Sequence, residues 1–319
     1  MLLTRGRWLA HAMIALVLIG SLAQTPAAAQ TPARGEPLSV VATFSILGDL
    51  VRQVGGDAVQ VTTLIGPGVD AHTYDPAPAD LVALSEADVI VENGLGFEPW
   101  LDGFFASAQP AGTRVVASDG ITPREAGETG HDAGAESGDH GSFDPHVWHD
   151  VANAIVMTEN VRDALVATDP ANAAYYEANA ASYVAELEAL DAEIREQVAT
   201  LPGERRKLVT SHDTFGYFAD AYGFEVVGTA LGSLSTEAAD PAARDVAALI
   251  AEIEAAGVPA IFAENIANPD LMNAIAAEAG VTLAPPLYTD ALGPAGSPGD
   301  SYVGMMRSNV DTIVTALAG

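Results

Sequence analysis

Apolar positions along the chain come in two rhythms. Short β-branched runs at Leu38–Phe44, Val59–Ile65, Asp88–Glu92 and Arg114–Ala117 are separated by helical patterns, among them Ile46–Val54, Pro78–Glu86 and Pro99–Ala108. A second series, Lys207–Thr210, Glu225–Thr229, Ala260–Glu264 and Val281–Ala284, repeats the alternation. Near-continuous apolar strands alternating with helices predict parallel sheets covered on both faces. The expected fold class is therefore α/β, with two (β/α)4-like lobes.

Between the two series lies one long amphipathic pattern. Tyr183, Leu187, Leu190, Ile194, Val198 and Leu201 recur at steps of three and four, which draws a single apolar stripe down a helix. Asp169 reads as its N-cap, Pro170 as its first residue, and Pro202-Gly203 as its stop. Residues 169–202 are expected to form a rigid rod linking an N-terminal lobe at 37–168 to a C-terminal lobe at 203–319. Roughly 30 residues at ~1.5 Å each make a rod of ~45 Å, long enough to touch both lobes.

Two segments break the pattern. Arg5 and Arg7 precede the apolar run Ala10–Leu22, and Ala27-Ala28-Ala29 follows it, so residues 1–29 read as a cleavable export signal. Residues 123–144 are rich in Gly, Glu and Asp and nearly empty of large apolar side chains, which predicts a mobile acidic loop. That loop carries His131 and His140, a candidate for weak metal collection.

Composition narrows the function. The 319 residues carry 43 acidic and 13 basic side chains, a net charge of −30 that becomes −32 once Arg5 and Arg7 leave with the signal. Such a surface repels nucleic acid and anionic membranes and gathers cations. There is no cysteine, hence no disulfide, no thiolate ligand and no lipid thioether. The expected product is free in the periplasm, a monomer without a lipid anchor.

Histidine placement carries the chemistry. His72 lies in Gly-Pro-Gly-Val-Asp-Ala-His-Thr-Tyr-Asp-Pro, His146 in Asp-Pro-His-Val-Trp, His212 in Val-Thr-Ser-His-Asp-Thr-Phe-Gly, and Asp290 in Tyr-Thr-Asp-Ala-Leu-Gly. All four fall in loops beyond the carboxyl ends of predicted parallel strands, where open α/β sheets bind ligands. Each lobe contributes an early and a late residue, 74 apart in the first and 78 in the second. Three imidazoles and one carboxylate complete a four-coordinate metal shell in the interlobe cleft.

With these motifs the sequence resembles the cluster A-I solute-binding proteins, the metal-binding subunits of bacterial ABC importers for zinc and manganese. The resemblance runs from Val40 to Leu317 and rests also on Ala-Thr-Phe-Ser-Ile-Leu-Gly-Asp-Leu near residue 46, Ser-Thr-Glu-Ala at 235–238 and Phe-Ala-Glu-Asn at 262–265. It implies two lobes bridged by a rigid helix, His72, His146, His212 and Asp290 as the metal ligands, and delivery to a membrane permease. A periplasmic metallochaperone is a further candidate partner. Relatives usually carry an apolar residue where His149 stands. It is offered as an alternate ligand, with a surface position at a helix start the expected alternative. Glu264, at the end of a predicted strand, is offered as an acceptor for a ligand imidazole or an alternate ligand.

Three nitrogens and one oxygen suit Zn²⁺, and similar proteins that import manganese tend to offer a carboxylate where His212 stands. Zinc is the expected cargo, with manganese or iron the alternative. A zinc hydrolase would need an open coordination position and a general base, and neither His-Glu-x-x-His nor Gly-x-Ser-x-Gly occurs.

Overall fold

A computed structural model describes residues 31–32, 35–126, 143–237 and 241–319. The export signal, His131 and His140 lie outside them. In the N-terminal half, β1 (Leu38–Phe44) sits between β2 (Val59–Ile65) and β3 (Val89–Glu92), and β4 (Thr113–Val116) completes a sheet of order β2-β1-β3-β4. Every pair is parallel, with Leu38 opposite Val59, Val40 opposite Val89, and Val89 opposite Thr113. The crossovers are α1 (Ser45–Gly55), α2 (Pro78–Glu86) and α3 (Pro99–Ala108).

Pleating explains why the central strands β1 and β3 carry apolar side chains on both faces. Val40, Ala42, Phe44, Val89 and Val91 face a large core shared with Leu47, Leu50 and Val54 of α1. Val41 and Ile90 face the other way, onto Leu84 of α2 and Leu101 and Phe104 of α3. Successive side chains alternate between faces, so central strands covered on both sides are largely apolar on both.

After β4 the chain forms α4 (Val151–Thr168), capped by Asp150 accepting from the Ala152 amide, then α5 (Ala173–Ala199). The expected stripe is buried as Tyr183, Leu187, Leu190, Ile194 and Val198, and it extends back to Tyr176 and Ala180. Those residues belong to the same core as β1 and as Leu208, Phe215, Phe262 and Met306 of the C-terminal half. Each buried Leu or Ile contributes about 1.5–3 kcal/mol, so α5 is held by packing on both sides and spans ~40 Å. Its start differs from the sequence expectation. Asp169 ends α4, Pro170–Asn172 make a 3-10 turn, and the Asp169 carboxylate accepts from Tyr176 Oη and Asn172 Nδ2 rather than capping a helix. With the Asp169 carboxylate turned to Tyr176 and Asn172, it makes no capping hydrogen bond to the 3-10 turn.

The C-terminal half contains β5 (Lys207–Thr210), α6 (Gly216–Tyr222), β6 (Glu225–Thr229), α7 (Ala243–Ala256), β7 (Ala260–Glu264), α8 (Asp270–Ala279), β8 (Thr282–Leu287) and α9 (Tyr302–Ala318). Its four strands are parallel, as the alternation predicts, and fall into two ladders. The strands pair two by two and in parallel, β5 with β6 and β7 with β8. Register shifts at Leu208/Val209 and at Phe262/Glu264 interrupt the ladders, and Pro285 and Pro286 in β8 have no amide to donate. The layered logic survives: Val209, Ile261 and Ala263 pack on Leu249, Ile253, Met272 and Ile275 of α7 and α8.

Candidate metal centre

The strand ends converge. His72 lies in the connection from β2 to α2, His146 opens the 3-10 turn Val147–His149 ahead of α4, His212 follows β5, and Asp290 follows β8. Among the described residues these four form a group whose ligating atoms all lie within 4.8 Å of one another, and all four are buried. Nε2 of His72 and Nε2 of His212 stand 3.1 and 3.2 Å from Oδ2 of Asp290. Nε2 of His146 is 3.4 Å from Nε2 of His72 and 3.7 Å from Oδ1 of Asp290. A tetrahedron of bonds of about 2.0–2.1 Å has edges of roughly 3.3 Å. These separations lie near that edge, so the donor atoms can converge on one ion.

Carboxylates behind the imidazoles fix which nitrogen faces inward. Oδ1 of Asp144 is 2.8 Å from Nδ1 of His146 and also accepts from the His146 amide. Oε2 of Glu264 is 2.5 Å from Nδ1 of His212, and Oε1 accepts from the His212 amide. A proton held on Nδ1 leaves the Nε2 lone pair for a metal. His72 is set differently, by its amide donating to Oδ1 of Asp70 and by Phe97, whose ring meets it edge-on at 5.3 Å.

Charge follows from this arrangement. Burial opposes a charged His212, but Glu264 and Asp290 outweigh it and hold its pKa well above the ordinary histidine value. Burial likewise opposes an ionised Asp290, but His212 and His146 outweigh it and hold its pKa well below the carboxylate range. His72 is pushed down, first by burial and then by the neighbouring imidazoles, despite the pull of Asp290. The pocket thus holds an ionised carboxylate and one imidazole, that of His212, whose proton a cation can displace.

Glu264 lies behind His212 and also accepts from Thr289 Oγ1, so it supports the cluster from outside. His149 overturns the expectation of a surface residue. It is fully buried, its ring 4.6 Å from that of Phe215, because Trp148 and Phe215 wall it in. Neither of its ring nitrogens has a hydrogen-bond partner among the described residues, and it is not one of the four clustered groups.

The acidic loop is corrected at both ends. Arg124 and Asp144 are tied by the Asp144 amide donating to the Arg124 carbonyl, Glu125 pairs with Phe143, and Tyr217 Oη accepts from the Arg124 amide while donating to the Asp144 carbonyl. Sequence reasoning assigned Asp144 to the loop and missed its role. The signal was present: Asp70-Ala71-His72 and Asp144-Pro145-His146 share an Asp two residues before the His, the spacing of an Asx turn. Also missed was Glu98. It is buried and pushed up to about 7 by that burial, and it accepts from Thr43, Asn93 and Gly94 to hold the loop that presents Phe97.

The chain is similar to known metal-binding proteins along nearly its whole length. The family described as zinc-uptake complex component A, periplasmic (ZnuA), matches residues 40–316. The manganese-binding lipoprotein MntA of Halalkalibacterium halodurans is 35% identical over 306 residues, covering 96% of each chain. The iron-binding protein YfeA of Yersinia pestis is 33% identical over 306 residues, covering 95% of this chain and 94% of YfeA. Among solved structures, the periplasmic zinc binding protein TroA from Treponema pallidum matches with a TM-score of 0.77 and 35% identity, over 89% of this chain and 99% of TroA. The fold is that of TroA, with parallel strands and a long helix. The family consists of solute-binding proteins of ABC transporters rather than enzymes, and no described helix is long and apolar enough to cross a membrane. The chain belongs to the ZnuA family, as an extracytoplasmic metal-binding component of an ABC importer.

Proposed function

We propose that the protein captures Zn²⁺ through His72, His146, His212 and Asp290 and delivers it to the membrane permease of the importer. The observation that carries this reading is the donor set: three imidazole nitrogens and one carboxylate at tetrahedral spacing. Zinc favours such a shell, and at a given nitrogen and oxygen site it outcompetes manganese and iron(II). The ligands come from two lobes bridged by α5, whose buried stripe supports small rather than wide opening movements. Because the 319 residues contain no cysteine, we further propose that the mature protein, a monomer, acts without a lipid tether, unlike the relatives named as lipoproteins. A periplasmic metallochaperone is a second candidate partner, for loading.

A second reading, manganese or iron as cargo, is favoured by the relatives' names and by one feature of the site. Both oxygens of Asp290 face imidazoles, so the carboxylate can bind through two atoms and raise the coordination number. Metal analysis of protein isolated from its native compartment, followed by competition between zinc and manganese, decides between them. Stoichiometric zinc that manganese in tenfold excess does not displace supports the first reading. Bound manganese under zinc-replete conditions overturns it.

A further inference from the structure

Two of the clustered imidazoles come from opposite halves of the chain, and a continuous set of hydrogen bonds joins their backbones. On one side, Oδ1 of Asp70 accepts from the His72 amide at 2.9 Å. The other oxygen of the same carboxylate accepts from Thr236 Oγ1, across 166 residues of sequence, at 2.6 Å. On the other side, the turn carrying Thr236 is anchored to the segment around His212. The Asp213 amide donates to the Ser233 carbonyl at 2.8 Å and the Leu231 amide to the Ser211 carbonyl at 2.9 Å. Within that turn the Ser235 amide donates to Ser233 Oγ and the Glu237 amide to Ser235 Oγ, which fixes where the threonine points.

The His72 loop is also tied to the C-terminal half by the Gly68 amide, which donates to the Leu292 carbonyl at 2.9 Å. That backbone bond leads toward Asp290, whereas the Asp70–Thr236 bond leads toward His212. We propose that Thr236 is a positioning residue whose hydroxyl latches the His72 loop to the His212 loop and thereby sets the rate at which the metal leaves. Thr236 does not touch the cluster. It acts through Asp70 on His72, and the bond must break before the two imidazoles can separate. Both partners are half-buried, so a change at Thr236 leaves the hydrophobic cores untouched.

The proposal rests on the reading of His72 as a ligand, and the test separates the two. Zinc-loaded mature protein is mixed with excess chelator and zinc release is followed with a fluorescent indicator, for the parent, Thr236→Val, Thr236→Ser and His72→Ala. A hydrogen bond to a charged acceptor is strong enough that its loss predicts release about tenfold faster in Thr236→Val. Association rate and metal-free thermal unfolding stay at parent values, and Thr236→Ser, which keeps the hydroxyl, releases at the parent rate. Release from Thr236→Val within twofold of the parent overturns the latch, as does a Thr236→Ser rate equal to that of Thr236→Val. If His72→Ala still binds one zinc at parent affinity, the ligand assignment falls and the latch with it. If His72→Ala loses the metal while Thr236→Val does not speed release, the latch alone falls.

Discussion

Nδ1 of His212 and Oε2 of Glu264 stand 2.5 Å apart, both side chains fully buried. The same carboxylate accepts from the His212 amide and from Thr289 Oγ1. Glu264 is therefore placed to set the tautomer, the orientation and the basicity of one imidazole. In Glu264→Gln one oxygen becomes an NH2 group that faces a donor, whichever way the amide turns. Zinc affinity should fall about 10–100-fold with the metal-free fold retained. Titration against a competing chelator, with circular dichroism as the control, checks this. An unchanged affinity would show that the carboxylate is dispensable to the site.

His72 and His212 should behave differently when removed. His72 is pushed toward neutrality by burial and lies at the edge of the cluster, so His72→Ala leaves little uncompensated charge behind. His212 is the shared partner of Glu264 and Asp290, and its loss removes that partner from two buried carboxylates. Breaking a buried pair costs about 3–5 kcal/mol. Both variants should lose most zinc affinity, but only His212→Ala should unfold several degrees earlier in the metal-free state. Equal melting temperatures would remove the ion-pair account of His212.

Much of this was legible in the sequence, and the rest was hidden for identifiable reasons. The stripe from Tyr183 to Val198 and the strands at Val59–Ile65 and Ala260–Glu264 were readable because periodicity reports directly on which face is buried. The four clustered residues were readable because strand ends are where α/β sheets bring side chains together. The pairing of β5 to β8 was not, since ladder breaks at Leu208/Val209 and Phe262/Glu264 depend on packing between distant segments. His149 misled for the same reason: nothing near it in the chain announces that Phe215 covers it.

Metal uptake should release protons. With its pKa held well above the ordinary histidine value, His212 is protonated at neutral pH in the metal-free protein, and zinc must displace that proton. His72, pushed the other way, competes with protons only at lower pH. Apparent affinity should thus fall as pH falls, by about tenfold per unit for one displaced proton. Calorimetry at pH 7 in buffers of different ionisation enthalpy should show a slope near one proton per zinc. A slope of zero would mean the imidazole is already neutral.

The acidic loop should be dispensable only between its pinned ends. Glu125 and Phe143 pair in antiparallel fashion and the Asp144 amide meets the Arg124 carbonyl, so a short turn can close the gap. Replacing residues 127–142 with Gly-Asn-Gly should leave zinc affinity within twofold. Extending the deletion through Asp144 should weaken binding about tenfold or more, because His146 loses the acceptor for its Nδ1 proton. A loop-shortened protein that binds zinc poorly would assign the missing residues a direct part in capture.

His149 should make the protein acid-sensitive. Its pKa is pushed down to about 3, chiefly by burial and then by its neighbour His146. In the unfolded chain the same imidazole titrates near ~6.5. Between those values the unfolded state binds a proton that the folded state refuses, so stability is full above the unfolded value and declines as pH falls toward 3. By pH 5 the loss from this one residue is about 2 kcal/mol. His149→Phe fills a similar volume between Trp148 and Phe215 without a titrating group. Urea unfolding of the metal-free protein at pH 7.5 and pH 5 should show the variant gaining about 2 kcal/mol more over the parent at the lower pH. It should also gain at pH 7.5, where the parent still buries two ring nitrogens with no hydrogen-bond partner among the described residues. If the two proteins lose stability in parallel between those pH values, the imidazole is not the group that refuses the proton.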